Sequence, residues 1–185
     1  MEFQQIGRKL QVRLENASTD DVLSGSNVLT AFFFSLASNT KLDPVSAVVP
    51  TGDIVLFGHA GRHGVVGGEW AYNNLLSGAP DSAVEGGSIV ALGFFERRNR
   101  FPGKHLKSPA GSTDIDFGIT SRGDNPTTGE PFVTVDNALI QNEVVFTFKG
   151  LLKRDVLEAN SITNVSFLCG MTLVLDHNSP ENLVL

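Results

Sequence analysis

Residues 139–175 read LIQNEVVFTFKGLLKRDVLEANSITNVSFLCGMTLVL, two alternating runs joined by a short charged segment. In the first run Val144, Phe146 and Phe148 share one face, with Glu143, Val145 and Thr147 on the other. In the second, Val165, Phe167 and Cys169 alternate with Asn164, Ser166 and Leu168. Side chains of a strand point alternately to its two faces, so each run predicts a β-strand with its apolar face in a core.

The same period extends outward. Leu10, Val12 and Leu14 alternate with Gln11, Arg13 and Glu15, which predicts a half-buried first strand, and Asn16–Asp21 is a polar turn. Residues 28–36, VLTAFFFSL, are apolar on both faces and include Phe32, Phe33 and Phe34. Such a strand is either central and covered by its own chain or covered by another chain. Further strands are expected at 45–49, 54–57, 69–73, 88–95, 116–120 and 131–135, with Gly- and Pro-rich turns between them. Only 151–159, LLKRDVLEA, suits a helical turn or two, and no internal repeat is present. A chain of this size buries roughly 70% of its unfolded surface and needs no covalent staple. These patterns predict an all-β protein: a single β-sandwich over residues 1–185, jelly-roll-like, with Trp70 and Tyr72 in the core or at a sheet edge.

Charge narrows the partners. The formal net charge of −6 disfavours nucleic acid, which selects a basic surface. No run approaches the roughly 18 apolar residues of a membrane span, and MEFQQIGRKLQVRLEN has no apolar segment of the signal-peptide kind. The single cysteine, Cys169, sits in an apolar run and is expected as a buried small hydrophobe. One basic stretch stands out, FFERRNRFPGKHLK at 94–107, where Arg97, Arg98, Arg100, Lys104 and Lys107 supply five of fourteen positive side chains. No acid lies within 97–107, so removing those five charges from −6 leaves the remainder of the chain at −11. That asymmetry marks either a solvated loop or a docking face for an acidic partner.

Patterns of chemical groups are sparse. His59, His63 and Glu69 invite a metal reading, but His-x3-His shares a face only on a helix, and five glycines within 58–68 oppose one at about 1 kcal/mol each. A flexible loop with solvated histidines is expected there. The completing Lys-Ser/Thr of a phosphate-binding loop is missing. Asp114 and Asp116 share a face on a strand and with Asp124 could offer oxygens to calcium, although no EF-hand spacing is present. Arg122-Gly123-Asp124 spells an adhesion tripeptide, but it lies in a turn where those residues serve the backbone. There is no G-x-S-x-G elbow, and no pattern requires a cofactor.

Five blocks carry a resemblance: NVLTAFFFSL (27–36), GGEWAYNN (67–74), DFGITSRGDNPTTG (116–129), LIQNEVVFTFKGL (139–151) and ITNVSFLCGMTL (162–173). In this order they resemble the XDD-type exosortase-dependent surface proteins of bacteria. The resemblance implies a secreted, non-enzymatic β-rich domain displayed on a cell surface or released into a matrix, with no catalytic residues. Family members also carry a signal peptide and a C-terminal sorting segment; neither pattern stands in residues 1–185, so with Met1 as the native start this copy is expected not to take that export route, and with targeting ends removed it would be a bacterial surface protein. A surface domain made without export signals would suit a particle assembled inside a cell.

The functional expectation is therefore a non-enzymatic structural homo-oligomer that decorates or cements the outside of a larger assembly. A tailed-phage capsid surface is expected first, and a bacterial cell surface or extracellular matrix second. Contacts are expected from the basic stretch, from Phe32, Phe33 and Phe34, and from the apolar end Leu183, Val184 and Leu185. A metal- or carbohydrate-binding module, using the 59–69 loop or the three aspartates, is the reading from another class.

Overall fold

The strictest alternation in the chain builds the smaller of two sheets. Lys9–Glu15 (β2) and Glu143–Lys149 (β10) pair antiparallel, Val12 opposite Phe146 and Leu10 opposite Phe148, so their apolar faces coincide. Glu2–Ile6 (β1) flanks β2, and Asp43–Val48 (β4) flanks β10, giving the order β1-β2-β10-β4. Across this sheet Arg13 forms a bidentate pair with Glu143, at 2.6 and 2.7 Å. The carboxylate's hydrogen bond and charge raise the Arg13 guanidinium further above its ordinary value.

The larger sheet is organised around Leu29–Leu36 (β3). The computed structural model describes residues 1–36, 40–76, 87–92, 100–109, 111, 115–152, 157, 161–170, 174–175 and 183–184. The other members of this sheet are Ile54–Leu56 (β5), Trp70–Leu76 (β6), Gly87–Leu92 (β7), Ile119–Thr120 (β8), Leu139–Gln141 (β9) and Ile162–Cys169 (β11). Their order is β5-β9-β8-β3-β7-β6, with β11 on β3. A two-stranded ladder joins Val174–Leu175 (β12) to Leu183–Val184 (β13). The protein is mostly strand (45%), in two packed sheets, an all-β sandwich. One pair, β8 with β9, runs parallel, unlike the antiparallel pairing of a jelly roll.

Aromatic rings fill the space between the sheets. Phe146 lies 5.1 Å from Trp70 and 5.3 Å from both Phe32 and Phe101, centroid to centroid, and Phe148 lies 4.9 Å from Tyr72. Trp70 and Tyr72 are thus core residues carried on an edge strand, as the sequence predicts. Burial pushes the Tyr72 phenol up to about 12, although its hydrogen bond with Ser88 Oγ (3.0 Å) works the other way.

Three expectations need correction. Residues 131–134 form a short helix (α1, Pro131–Thr134), because Pro131 at its start pre-sets a helical φ and lacks only an amide that a first turn leaves free. Cys169 is exposed. The face it shares with Val165 and Phe167 is not in the core: Val165 is 42% and Phe167 51% exposed. Most of the helical turn expected at 151–159 lies outside the described residues.

Candidate functional site

Among the described strands the path of the larger sheet ends at β5 and β6, with β11 added on β3, and the chain treats β6 and β11 differently. Along β6 runs the segment 100–106. Phe101 N–H donates to Trp70 O (3.0 Å), Ala71 and Arg100 form an isolated bridge, and the Phe101 ring enters the core. Gly67, Gly68 and Gly103 allow this contact: backbone meets backbone, and a Cβ at any of them would collide with the opposing chain.

Glu69 fastens this strap. The residue is only 7% exposed, its Oε1 accepts Leu106 N–H (2.6 Å), and its Oε2 lies 3.1 Å from His105 Nδ1. Burial raises its carboxyl above the ordinary range, opposed by the Leu106 amide and the charges of His105 and Arg100. Arg100 Nη1 donates to Gly68 O (2.7 Å). Of the expected basic docking face, Arg100 is therefore engaged within the fold, while Lys104 on the strap and Lys107 just after it are exposed, as is His105. Arg97 and Arg98 lie outside the described residues.

β11, by contrast, pairs only with β3 among the described strands. Phe167 stands opposite Phe32, which puts the two rings on one face of the sheet. Phe32 is covered by Phe146, and Phe34 by Phe148 and by Phe3 of β1 (5.5 Å). One strand further out, Val165, Phe167 and Cys169 keep their apolar face in solvent. Residual burial still raises the Cys169 thiol above its ordinary value. A bulge near Asn164, whose φ is +52°, interrupts the pairing between Thr163 and Ser166.

The remaining expected contact residues fall as follows. Phe32, Phe33 and Phe34 are at most 3% exposed and fully enclosed by this chain, so they offer no surface to a partner. β3 is the central, covered strand of the two alternatives its sequence allows. Leu183 and Val184 form β13, and Leu185 lies outside the described residues.

The glycine-rich loop is ordered into two short 3-10 turns, Arg62–Gly64 and Gly67–Glu69. His59 and His63 are exposed and line one open groove of about 540 Å³ with Asp53. Glu69 does not join them, because it is committed to the strap. Asp114 lies outside the described residues, and Asp116 accepts the Ser108 hydroxyl. Asp124 is buried, so the Arg122-Gly123-Asp124 tripeptide presents no carboxylate to solvent.

Fold and edges together define a β-sandwich whose β6 edge carries a strap and whose β11 strand has β3 as its one described strand partner. The chain matches no model of a known protein family, no curated protein and no solved structure.

Proposed function

We propose that this is a non-enzymatic structural protein that associates with copies of itself through the β11 edge and so coats the outside of a larger assembly, such as a capsid shell or a cell-surface matrix. The observation that carries this reading is β11: an edge strand with one described strand partner that exposes Val165, Phe167 and Cys169 in alternation. Unpaired backbone beside apolar side chains is a template for another strand, and soluble proteins normally blunt it with charge, proline or a covering segment. This chain applies that protection at β6, through the strap held by Glu69. On β11 the side chains from Asn164 to Cys169 include no charge and no proline. The resemblance to exported bacterial surface domains supports the same reading, since it implies display and carries no catalytic residues.

The test is the pair Val165→Lys and Phe167→Lys in one chain. Both side chains are already solvent-exposed, so the fold should survive, with an unchanged far-ultraviolet circular dichroism spectrum. Light scattering should show an oligomer for the parent and a monomer for the variant. A parent that stays monomeric at every concentration, or a variant that oligomerises like the parent, would overturn the proposal.

A further inference from the structure

Two loops far apart in sequence are sewn together by a reciprocal exchange. Val22 N–H donates to Asp124 Oδ1 (3.1 Å), and Asn125 N–H donates to Asp21 Oδ1 (2.9 Å). Each aspartate thus takes the amide that follows the other. Around this exchange Ser121 Oγ donates to Asp20 O, Thr128 Oγ1 donates to Asp21 Oδ2, and Glu130 N–H donates to Leu23 O (2.9 Å). Gly123 approaches Thr19 O so closely that no Cβ fits between them.

The exchange sets two carboxylates against each other in unequal surroundings. Asp21 is exposed and well supplied with donors. Asp124 is only 6% exposed, and its buried Oδ2 has no hydrogen-bond partner. The Thr120 hydroxyl donates to Ile140 O (3.5 Å) and also lies close enough to the Asp124 carboxyl to favour its charged form. Burial raises the Asp124 carboxyl above its ordinary range; the Val22 amide and the Thr120 hydroxyl oppose the rise, and the hydrogen bond and charge of Asp21 add to it. A buried carboxylate oxygen with no donor, beside a second carboxylate, is costly unless a proton or a cation joins them.

We propose that Asp21 and Asp124 together hold a hard divalent cation of the calcium class at this junction. The surroundings fit that class. Every polar side chain named at the junction offers oxygen, none of them is a thiol or imidazole, and the Thr19 and Asp20 carbonyls line the same junction. Irregular loops also suit calcium, which tolerates variable geometry, better than magnesium, which demands an octahedron. Among the described residues no three acidic, His or Cys side chains gather around one point. Two carboxylates alone place the affinity in the range of extracellular modules, about 10⁻⁴–10⁻³ M. The site differs from the one expected from sequence, since Asp124 is joined by Asp21, while Asp116 accepts the Ser108 hydroxyl.

The experiment uses the full chain. Calorimetric titration with calcium chloride should show one ion bound per chain. At a calcium concentration about tenfold above the dissociation constant, the melting temperature should rise by about 3–6 °C over the value in EDTA, with a smaller rise in magnesium. Asp124→Asn should fold and lose the calcium response. Its side-chain oxygen can still accept Val22 N–H and its amide can donate to Asp21, so its stability in EDTA should equal or exceed that of the parent. If Asp124→Asn does not fold, Asp21→Asn, at an exposed position, takes its place beside the titration of the parent. No heat and no melting shift in the parent at millimolar calcium would overturn the proposal. So would a calcium shift that survives in both variants, or a parent that ignores calcium but is stabilised by mild acid, which would identify a shared proton.

Discussion

Phe146→Ala removes the ring on which the sandwich closes. Phe146 is fully buried and sits between the sheets, touching Trp70 of one edge strand, Phe32 of the central strand and Phe101 of the strap. The loss has two parts, the transfer free energy of the ring and the cavity it leaves. Together they cost about 3–5 kcal/mol for a buried Phe→Ala change. Edge-to-face ring pairs contribute about 0.5–1.5 kcal/mol each beyond area, which favours the upper half of that range. With three different elements meeting at the ring, collapse of the cavity would require all three to move, which also favours the larger value. Urea unfolding can be followed by the fluorescence of Trp70, the only tryptophan, and by circular dichroism, which does not depend on the Trp70–Phe146 contact. Phe132→Ala is the control: that ring is 53% exposed on α1, and its loss should stay within about 0.5 kcal/mol. If Phe146→Ala costs less than about 1 kcal/mol, the two sheets do not pack through this cluster, and the account of the core is wrong.

Other consequences follow from single residues. Tyr72 is the only tyrosine, so absorbance near 295 nm titrates it alone; the folded protein should ionise near 12 and the unfolded chain near the ordinary value of about 10. Because the folded value is the higher one, the stability it contributes is complete below pH 10 and falls by up to about 3 kcal/mol as pH rises to 12. Tyr72→Phe should abolish that decline, and an unchanged pH profile in the variant would refute the assignment. Gly68→Ala drives a Cβ into the Lys104 backbone and should cost about 1–3 kcal/mol and loosen the strap, seen as faster amide exchange at Phe101 and Leu106. A silent substitution would mean that the strap does not pack backbone against backbone. Cys169, exposed on β11, should react fully with a thiol reagent in the native state, faster as pH rises because the thiolate is the reactive form, with burial displacing that rise to higher pH; reaction only in denaturant would contradict its placement.

How much of this was legible in the sequence depends on the range of the physics involved. β2 and β10 announce themselves because alternation is local and their two faces meet different media. The same signal on β11 gives the two faces correctly but not their surroundings. Whether Phe167 is covered depends on where the opposite sheet ends, and no local period encodes that. The apolar run of β3 left two options, its own chain or another, and neighbours β7 and β11 decided for the first. At 131–135 the β-branched residues Val133, Thr134 and Val135 suggest a strand, but Pro131 and the contacts of Val133 in a second small core decide for a helical turn. The strap and the Asp21–Asp124 exchange join residues about 40 and 100 positions apart, so only their glycines (Gly67, Gly68, Gly103 and Gly123) hint at close approach.

The central claim is that the β11 edge is where copies of the chain meet. Hydrogen–deuterium exchange of the peptide covering Ile162–Cys169, followed from dilute to concentrated protein, reads that edge directly. The account predicts that its outward-facing amides exchange quickly in the dilute monomer and become protected as the oligomer forms, while the buried amides of β10 do not change. Oligomers that form with no change in exchange at β11 would contradict it.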